Sequence, residues 1–209
     1  MVVETLTLGP FETNCFIAVG KDNQALVIDP GSEADLIIDY LLQNGLTVAA
    51  YPLTHGHCDH VAAVAEVHAR FPAPVGLHPL DAIWAFTERA AMRPYFDTPR
   101  SPGKIERAYA EGQSWTDAGL TYHVIETPGH TKGGVSFYFP EQKAVFSGDA
   151  LFRGSVGRTD FPGGDARVLA DSLRKLALLP DDTAVYPGHG PNTTIGFEKR
   201  NNFFMSRLN

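Results

Sequence analysis

"TVAAYPLTHGHCDHVAAV", residues 47–64, falls into three parts. Thr47–Thr54 is an apolar run of strand type, His55–His60 packs three histidines and an aspartate into six positions, and small apolar residues follow. His55 and His57 are two apart, so an extended backbone sends both rings to one side. Asp59 and His60 fall where the chain turns into the following helix and address a second point nearby. Gly56, between two of these residues, lets the backbone turn sharply. Imidazoles together with a carboxylate suit a divalent metal.

Three more strand-to-loop junctions carry the same residue types: "TPGHT" with His130, "SGDA" with Asp149 and "YPGHG" with His189. Five of the eight histidines therefore sit at such junctions, a placement that unrelated core and surface histidines have no reason to share. Each junction follows an apolar run, so all four can converge on one edge of the sheets. The set suffices for two ions: His55, His57 and His130 on one, Asp59, His60 and His189 on the other, with Asp149 bridging through its two oxygens. Nitrogen and oxygen ligands with open positions suit catalytic zinc, iron or manganese, whereas a closed structural site favours cysteine.

Outward from this region, "VVETLTL", "NCFIAVG" and "QALVIDPG" are strand-like runs separated by turn residues. "SEADLIIDYLLQNG" predicts a helix, with Ser32 and Asp35 at capping-box spacing and Gly45 as its stop. "HVAAVAEVHARF" predicts a helix ended by Pro72, and "LDAIWAFTERAAM" another. "RPYFDTPRSPGK" is a proline-rich loop able to overhang a site. "TYHVIETPGH", "GVSFYF" and "KAVFSGDA" are strand-like, as is the start of "TAVYPGHGP". Asp165 is a good N-cap for "DARVLADSLRKLALL", and "FEKRNNFFMSRL" is a terminal helix. Both halves place strands first and helices after them. This predicts an α/β fold, a four-layer αββα sandwich of two mixed sheets packed face to face with helices outside. No linker divides residues 1–209, so a single domain is expected.

The chain has 24 acidic against 17 basic residues, a net charge of −7, which works against a nucleic-acid or anionic-membrane surface. Two cysteines, Cys15 and Cys58, make no disulfide framework. Neither a signal peptide nor a membrane-length apolar run is visible, so a cytoplasmic protein, monomer or homodimer, is expected.

The motifs "HGHCDH", "PGHT", "SGDA" and "PGHG" resemble the metallo-β-lactamase superfamily. "FSGDALFRGSVGRTDFPGGD" and "YPGHGPNTTIGFEK" are similar to its glyoxalase II (hydroxyacylglutathione hydrolase) branch, in the short single-domain bacterial form. The resemblance covers essentially the whole chain and implies a dinuclear site at the edge of the sandwich, with the seven ligands above in the family's positions. It departs in two ways. Metallo-β-lactamases usually carry cysteine at the position of Asp149, and larger glyoxalase II enzymes append a helical glutathione-binding domain that the 20 residues after His189 do not accommodate.

The implied activity is hydrolysis of glutathione thioesters of the S-D-lactoylglutathione type, releasing a hydroxy acid and glutathione. Two divalent ions, zinc first with iron or manganese as alternatives, can share a water and lower its pKa from 15.7 towards ~7. Asp59 is expected both to ligate and to orient the hydroxide. A thiolate with pKa ~8.5 leaves without a dedicated general acid. For the anionic glutathione tail, Arg158 in "VGRTDF" is the first candidate, with Arg153 and Lys132 behind it. The competing reading pairs Arg158 with Asp160 or Asp165. Cys58 is expected to be an inert, half-buried thiol, and His68, His78 and His123 to be structural. Trp84, Phe86, Tyr95 and Phe96 are read as core before pocket. The rival activities are a persulfide dioxygenase, with one iron on His55, His130 and Asp149, and a lactone or small-ester hydrolase on the same two ions.

Overall fold

The computed structural model describes residues 1–207, so Leu208, the last residue of the expected terminal helix, lies outside the described residues. The chain forms two compact units, Met1–Tyr109 with Thr116–Leu120, and Ala110–Trp115 with the chain from Thr121 onward.

The first unit contains β1 (Val2–Leu8), β2 (Thr13–Val19), β3 (Gln24–Ile28), α1 (Ala34–Gln43), β4 (Thr47–Pro52), α2 (Cys58–Val61), α3 (Val64–Arg70), β5 (Val75–Leu77), α4 (Pro79–Ala82) and β6 (Arg107–Ala108). Its sheet runs β1-β2-β3-β4-β5-β6, antiparallel as far as β3 and parallel from β3 to β6. Ile17 and Val27 on one face pack with Ile37 and Leu41 of α1 and with Val64 and Val67 of α3. Phe16, Leu26 and Ile28, which alternate with them, are buried as well. Strands buried on both faces read as continuous apolar runs, which is how β2 and β3 look in sequence.

The second sheet runs β12-β11-β10-β9-β8-β7, built from β7 (Ser114–Asp117), β8 (Leu120–Glu126), β9 (Val135–Phe139), β10 (Ala144–Gly148), β11 (Ala184–Pro187) and β12 (Thr193–Thr194). The second unit also contains α5 (Ala166–Ala177) and α6 (Ile195–Asn201). Leu169, Leu173 and Leu176 of α5 pack on Val145 and Val185, while Tyr122, Phe139, Phe146 and Tyr186 form a row of ring contacts with centroids 4.8–5.4 Å apart. β8 and β10 are both antiparallel to β9, and β10 is parallel to β11. β8, β10 and β11 therefore end on the same edge, the one that carries His130, Asp149 and His189.

The two mixed sheets with their helices agree with the expected architecture; several local expectations do not hold. The Ser32–Asp35 capping box is absent: α1 starts from Glu33 in the left-handed region (φ 49°) without a side-chain cap, because the Glu33 carboxylate accepts from Gly9 N at 2.7 Å. Its other end behaves as expected. Gly45 (φ 62°) donates to Leu42 O and Leu46 donates to Leu41 O, a Schellman ending. The helix expected over 60–71 is two pieces, α2 and α3, broken at Ala62–Ala63. Ala63 N donates to Pro30 O instead of continuing the helix, and Gly31 lies so close that a Cβ there would come within 1.5 Å of Asp59 O. The helix expected over 80–92 is the short α4 and a separate 3-10 turn at Glu88–Ala90, since Thr87 caps Arg89 N and bonds back to Trp84 O. The terminal helix starts at Ile195 and stops at Asn202, whose side chain turns to Ser155 O, Glu198 and Phe204 N.

Asp165 caps α5 as expected, accepting from Arg167 N and Val168 N. Asp165→Ala should cost about 1 kcal/mol, a fall in melting temperature of about 2–4 °C for a chain of this size. A thermal melt unchanged by the substitution would contradict the cap.

Candidate metal centre

In the first unit the parallel pairing of β3 and β4 sets the ends of both strands side by side, with Asp29 N donating to Pro52 O. Asp29, just past β3, is buried, and its carboxylate organises the metal-type segment. Oδ1 accepts from Thr54 N at 2.7 Å; Oδ2 accepts from Thr54 Oγ1 at 2.5 Å and from His60 Nδ1 at 2.9 Å. A carboxylate is only an acceptor, so His60 carries its proton on Nδ1 and presents Nε2 as a lone pair. Thr54 has given its one hydroxyl proton to Asp29, so its oxygen accepts from Nδ1 of His55 at 3.0 Å. That fixes His55 in the same tautomer. The Nε2 atoms of both histidines are buried and make no hydrogen bond. The ring centroid of His55 lies 4.1 Å from that of His60 and 4.9 Å from that of His57.

His57 is the N-cap residue of α2 and is half-buried, its ring 5.5 Å from that of Trp84. Asp59 accepts from Thr13 Oγ1 at 2.9 Å, and its Oδ2 lies 3.5 Å from His60 Nε2. Gly56 N donates to the buried Asp81 carboxylate at 3.0 Å. One triad whose ligand atoms lie within 4.8 Å of one another is Asp29, His55 and His60, but Asp29 is spent on Thr54 and on the rear nitrogen of His60. It orients the candidate ligands His55 and His60 instead of joining them.

The second unit supplies a matching arrangement. Gly188 N donates to Gly148 O, which sets the ends of β10 and β11 together. Asp149 Oδ2 then lies 3.3 Å from His130 Nε2 and 3.5 Å from His189 Nε2. His130 Nδ1 donates to the backbone carbonyl of Arg158 at 2.7 Å, so Nε2 is again the atom presented. Gly157 is required for this: a Cβ there would come 1.9 Å from Asp149 O and 3.1 Å from His130 Nδ1. His189 meets the Phe152 ring edge-on at 5.8 Å. Each unit thus holds histidines in the Nε2-presenting tautomer, His55 and His60 in the first and His130 in the second, with a carboxylate oxygen beside an imidazole nitrogen, donors of the type that fits divalent metal.

Of the anion-binding candidates, Arg158 forms a two-pronged pair with Asp160, both bonds 2.7 Å, and stacks on Phe161 at 3.8 Å. The guanidinium holds the Asp160 carboxyl down to about 2. Asp160 is thus the partner, and Asp165 serves as the helix cap. Arg153 lies over the Phe197 ring at 5.2 Å, and Lys132 lies near Gly163. Cys58 is fully buried, not half-buried, and burial pushes its thiol up to about 12, which suits an inert role. His68 meets the Tyr51 ring, and His123 bonds to Ser114 Oγ at 2.6 Å. His78 does follow a strand, the short β5 that the sequence did not disclose, but it caps α4 by accepting from Leu80 N. Phe96 is buried against Phe11, and Phe86 packs on the core, whereas Tyr95 is exposed beside Phe11 and Trp84 faces His57. The proline-rich loop lies along Phe11, with Arg100 paired to Glu66.

Asp29, Thr54, Asp81 and the Arg158 carbonyl are the parts that sequence reasoning missed. "IDPG" held the one available signal, an aspartate at a strand end like Asp149, but without a neighbouring histidine it read as a turn.

The family model of the metallo-beta-lactamase superfamily matches residues 8–189. The chain belongs to that superfamily, and its fold is the superfamily's α/β sandwich. It is 35% identical over 210 residues to hydroxyacylglutathione hydrolase GloC of Haemophilus influenzae, covering 99% of each chain. Among solved structures it is similar to BLEG-1 B3 metallo-beta-lactamase, with a TM-score of 0.92 and 37% identity over 98% of this chain and 100% of that one. It is also similar to the di-iron-bound form of TTHA1623, with a TM-score of 0.88 and 42% identity over 97% and 100% of the two chains. No helix among the described residues is long and apolar enough to cross a membrane.

Proposed function

We propose that this chain is a metal-dependent hydrolase of glutathione thioesters of the S-D-lactoylglutathione type. The observation that carries the reading is the end-to-end similarity to hydroxyacylglutathione hydrolase GloC. In this reading His55, His57 and His130 would hold one ion and Asp59, His60 and His189 the other, and Asp149 would serve both. The position of Asp149 Oδ2 between two imidazole nitrogens supports the bridging role and favours two ions over the single iron of a dioxygenase. Zinc is the first choice of metal and iron the second, the latter supported by the di-iron form of TTHA1623.

When bound, the two ions supply a water of lowered pKa and polarise the thioester carbonyl. Asp29 and Thr54 keep His55 and His60 in the ligating tautomer, and the Arg158 carbonyl does the same for His130. Asp59, braced by Thr13, orients the attacking water. Glutathione leaves as a thiolate of pKa ~8.5, which needs no proton at the moment of cleavage. Its carboxylates are met by Arg158, Arg153 and Lys132. The Arg158–Asp160 pair is exposed, so a substrate carboxylate can displace Asp160 at little cost.

The test is the initial rate of S-D-lactoylglutathione hydrolysis by metal-quantified protein, with a β-lactam and glutathione persulfide as comparison substrates. The expected result is metal-dependent thioester turnover that exceeds both. No turnover by fully loaded protein, or faster consumption of the β-lactam or of oxygen with persulfide, overturns the reading.

A further inference from the structure

The segment that follows β5 is fixed against the metal-type loop by an unusually close contact. Asp81, fully buried on α4, accepts from Gly56 N at 3.0 Å, and a Cβ on Gly56 would meet Ala85 Cβ at 2.9 Å, Asp81 Cβ at 3.2 Å and the Trp84 ring at 3.2 Å. Only glycine between His55 and His57 permits this approach. Helical hydrogen bonding continues beyond α4, since Trp84 N and Ala85 N both donate to Asp81 O. Asp81 and Ala85, four apart, therefore form the face turned to Gly56. Leu80, Ile83 and Trp84 stand at the i, i+3, i+4 spacing of a second face.

That second face is apolar and open. Leu80 is 49% and Ile83 70% exposed, and Trp84 is half-buried with its ring against that of His57. An apolar strip that begins at a metal-type histidine and runs into solvent has a chemical direction: the reacting carbonyl at one end, a hydrocarbon along the rest.

We infer that Leu80, Ile83 and Trp84 form the acyl-binding wall of the site and select thioesters whose acyl group carries an aliphatic chain longer than that of lactate. The inference rests on the thioesterase reading for the reacting carbonyl. Trp84 sets the origin of the wall at His57, and Ile83, the most exposed of the three, meets the far part of the chain. The affinity gained per methylene follows from the area removed from water. Full burial gives about fourfold per methylene, and contact along one side of the chain gives about twofold.

The experiment is calorimetric binding of S-methyl-, S-butyl- and S-hexylglutathione, non-hydrolysable thioethers, to the metal-loaded protein and to Ile83→Ser and Trp84→Ala. Hydrolysis of S-D-lactoylglutathione is followed in parallel. The expected result is affinity that rises about 30-fold from methyl to hexyl. Ile83→Ser, an exposed substitution with no folding penalty, should reduce that gradient several-fold, and Trp84→Ala should nearly remove it. A flat series, a gradient that survives both substitutions, or no binding by any member overturns the inference. A gradient without any hydrolysis of lactoylglutathione overturns the proposed activity and the acyl assignment with it, and leaves Leu80, Ile83 and Trp84 as a wall for S-linked aliphatic chains.

Discussion

Asp149→Ala should lower kcat/KM for thioester hydrolysis by at least about 10³-fold, some 4 kcal/mol of transition-state stabilisation, and should remove at least one equivalent of metal. Asp149 Oδ2 lies within 3.5 Å of two imidazole nitrogens, and the side chain is nearly buried. Alanine removes the carboxylate from beside His130 and His189, so in the proposed assignment the two ions would lose the ligand they share. In the proposed mechanism the polarised carbonyl and the activated water would both depend on that pair, which makes the expected loss one of catalytic rate before affinity. Metal analysis by mass spectrometry alongside the kinetics separates the cases: loss of metal and rate together supports the bridge. A variant that keeps two equivalents and its rate removes Asp149 from the centre.

Asp29→Asn tests a residue that touches no substrate. The new amide can still accept from Thr54 N, but its NH2 replaces Oδ2, which accepts from both Thr54 Oγ1 and His60 Nδ1 in the native chain. Two donors then face a donor. The relief is for His60 to move its proton to Nε2, and for Thr54 to turn its hydroxyl proton towards Nδ1 of His55, which pushes that ring into the same wrong tautomer. Nε2 of both rings then carries hydrogen instead of a lone pair. Loss of an orienting partner typically costs 10- to 100-fold in metal affinity, and here one carboxylate governs two rings. Metal affinity should fall by about 10²-fold or more in a competition titration. Asp29→Ala, by contrast, leaves buried donors unanswered at about 1–3 kcal/mol each and should appear first as a lower melting temperature. An Asn variant with native metal affinity would dismiss the tautomer argument.

The strand-end residues were legible because their signal is local: an apolar run, a glycine, then a ligand-type side chain, as in "SGDA" and "YPGHG". Asp29 was not, because its meaning lies in the parallel neighbour β4, 25 residues away in sequence at Thr54. The same reason hid β5 and β6, strands of three and two residues that exist only through pairing with distant partners. The break between α2 and α3 was equally unreadable. Residues 60–71 have a sound helical pattern, and what interrupts it is the close approach of Gly31 and the Pro30 carbonyl from another part of the chain. Periodicity reports what a segment prefers, and such contacts override it.

Arg158 holds His130 through its backbone carbonyl, while its side chain turns away to Asp160 and Phe161. The metal-orienting duty of this position is therefore indifferent to which amino acid occupies it. With Arg158 in its proposed role towards the substrate's anionic tail, substrate preference would drift, or be engineered, through the side chain alone, with the histidine beneath it left undisturbed. On the proposed function, a scaffold wired in this way would exchange one anionic substrate for another in single steps, without first passing through a chain whose metal-type histidine has lost its orientation.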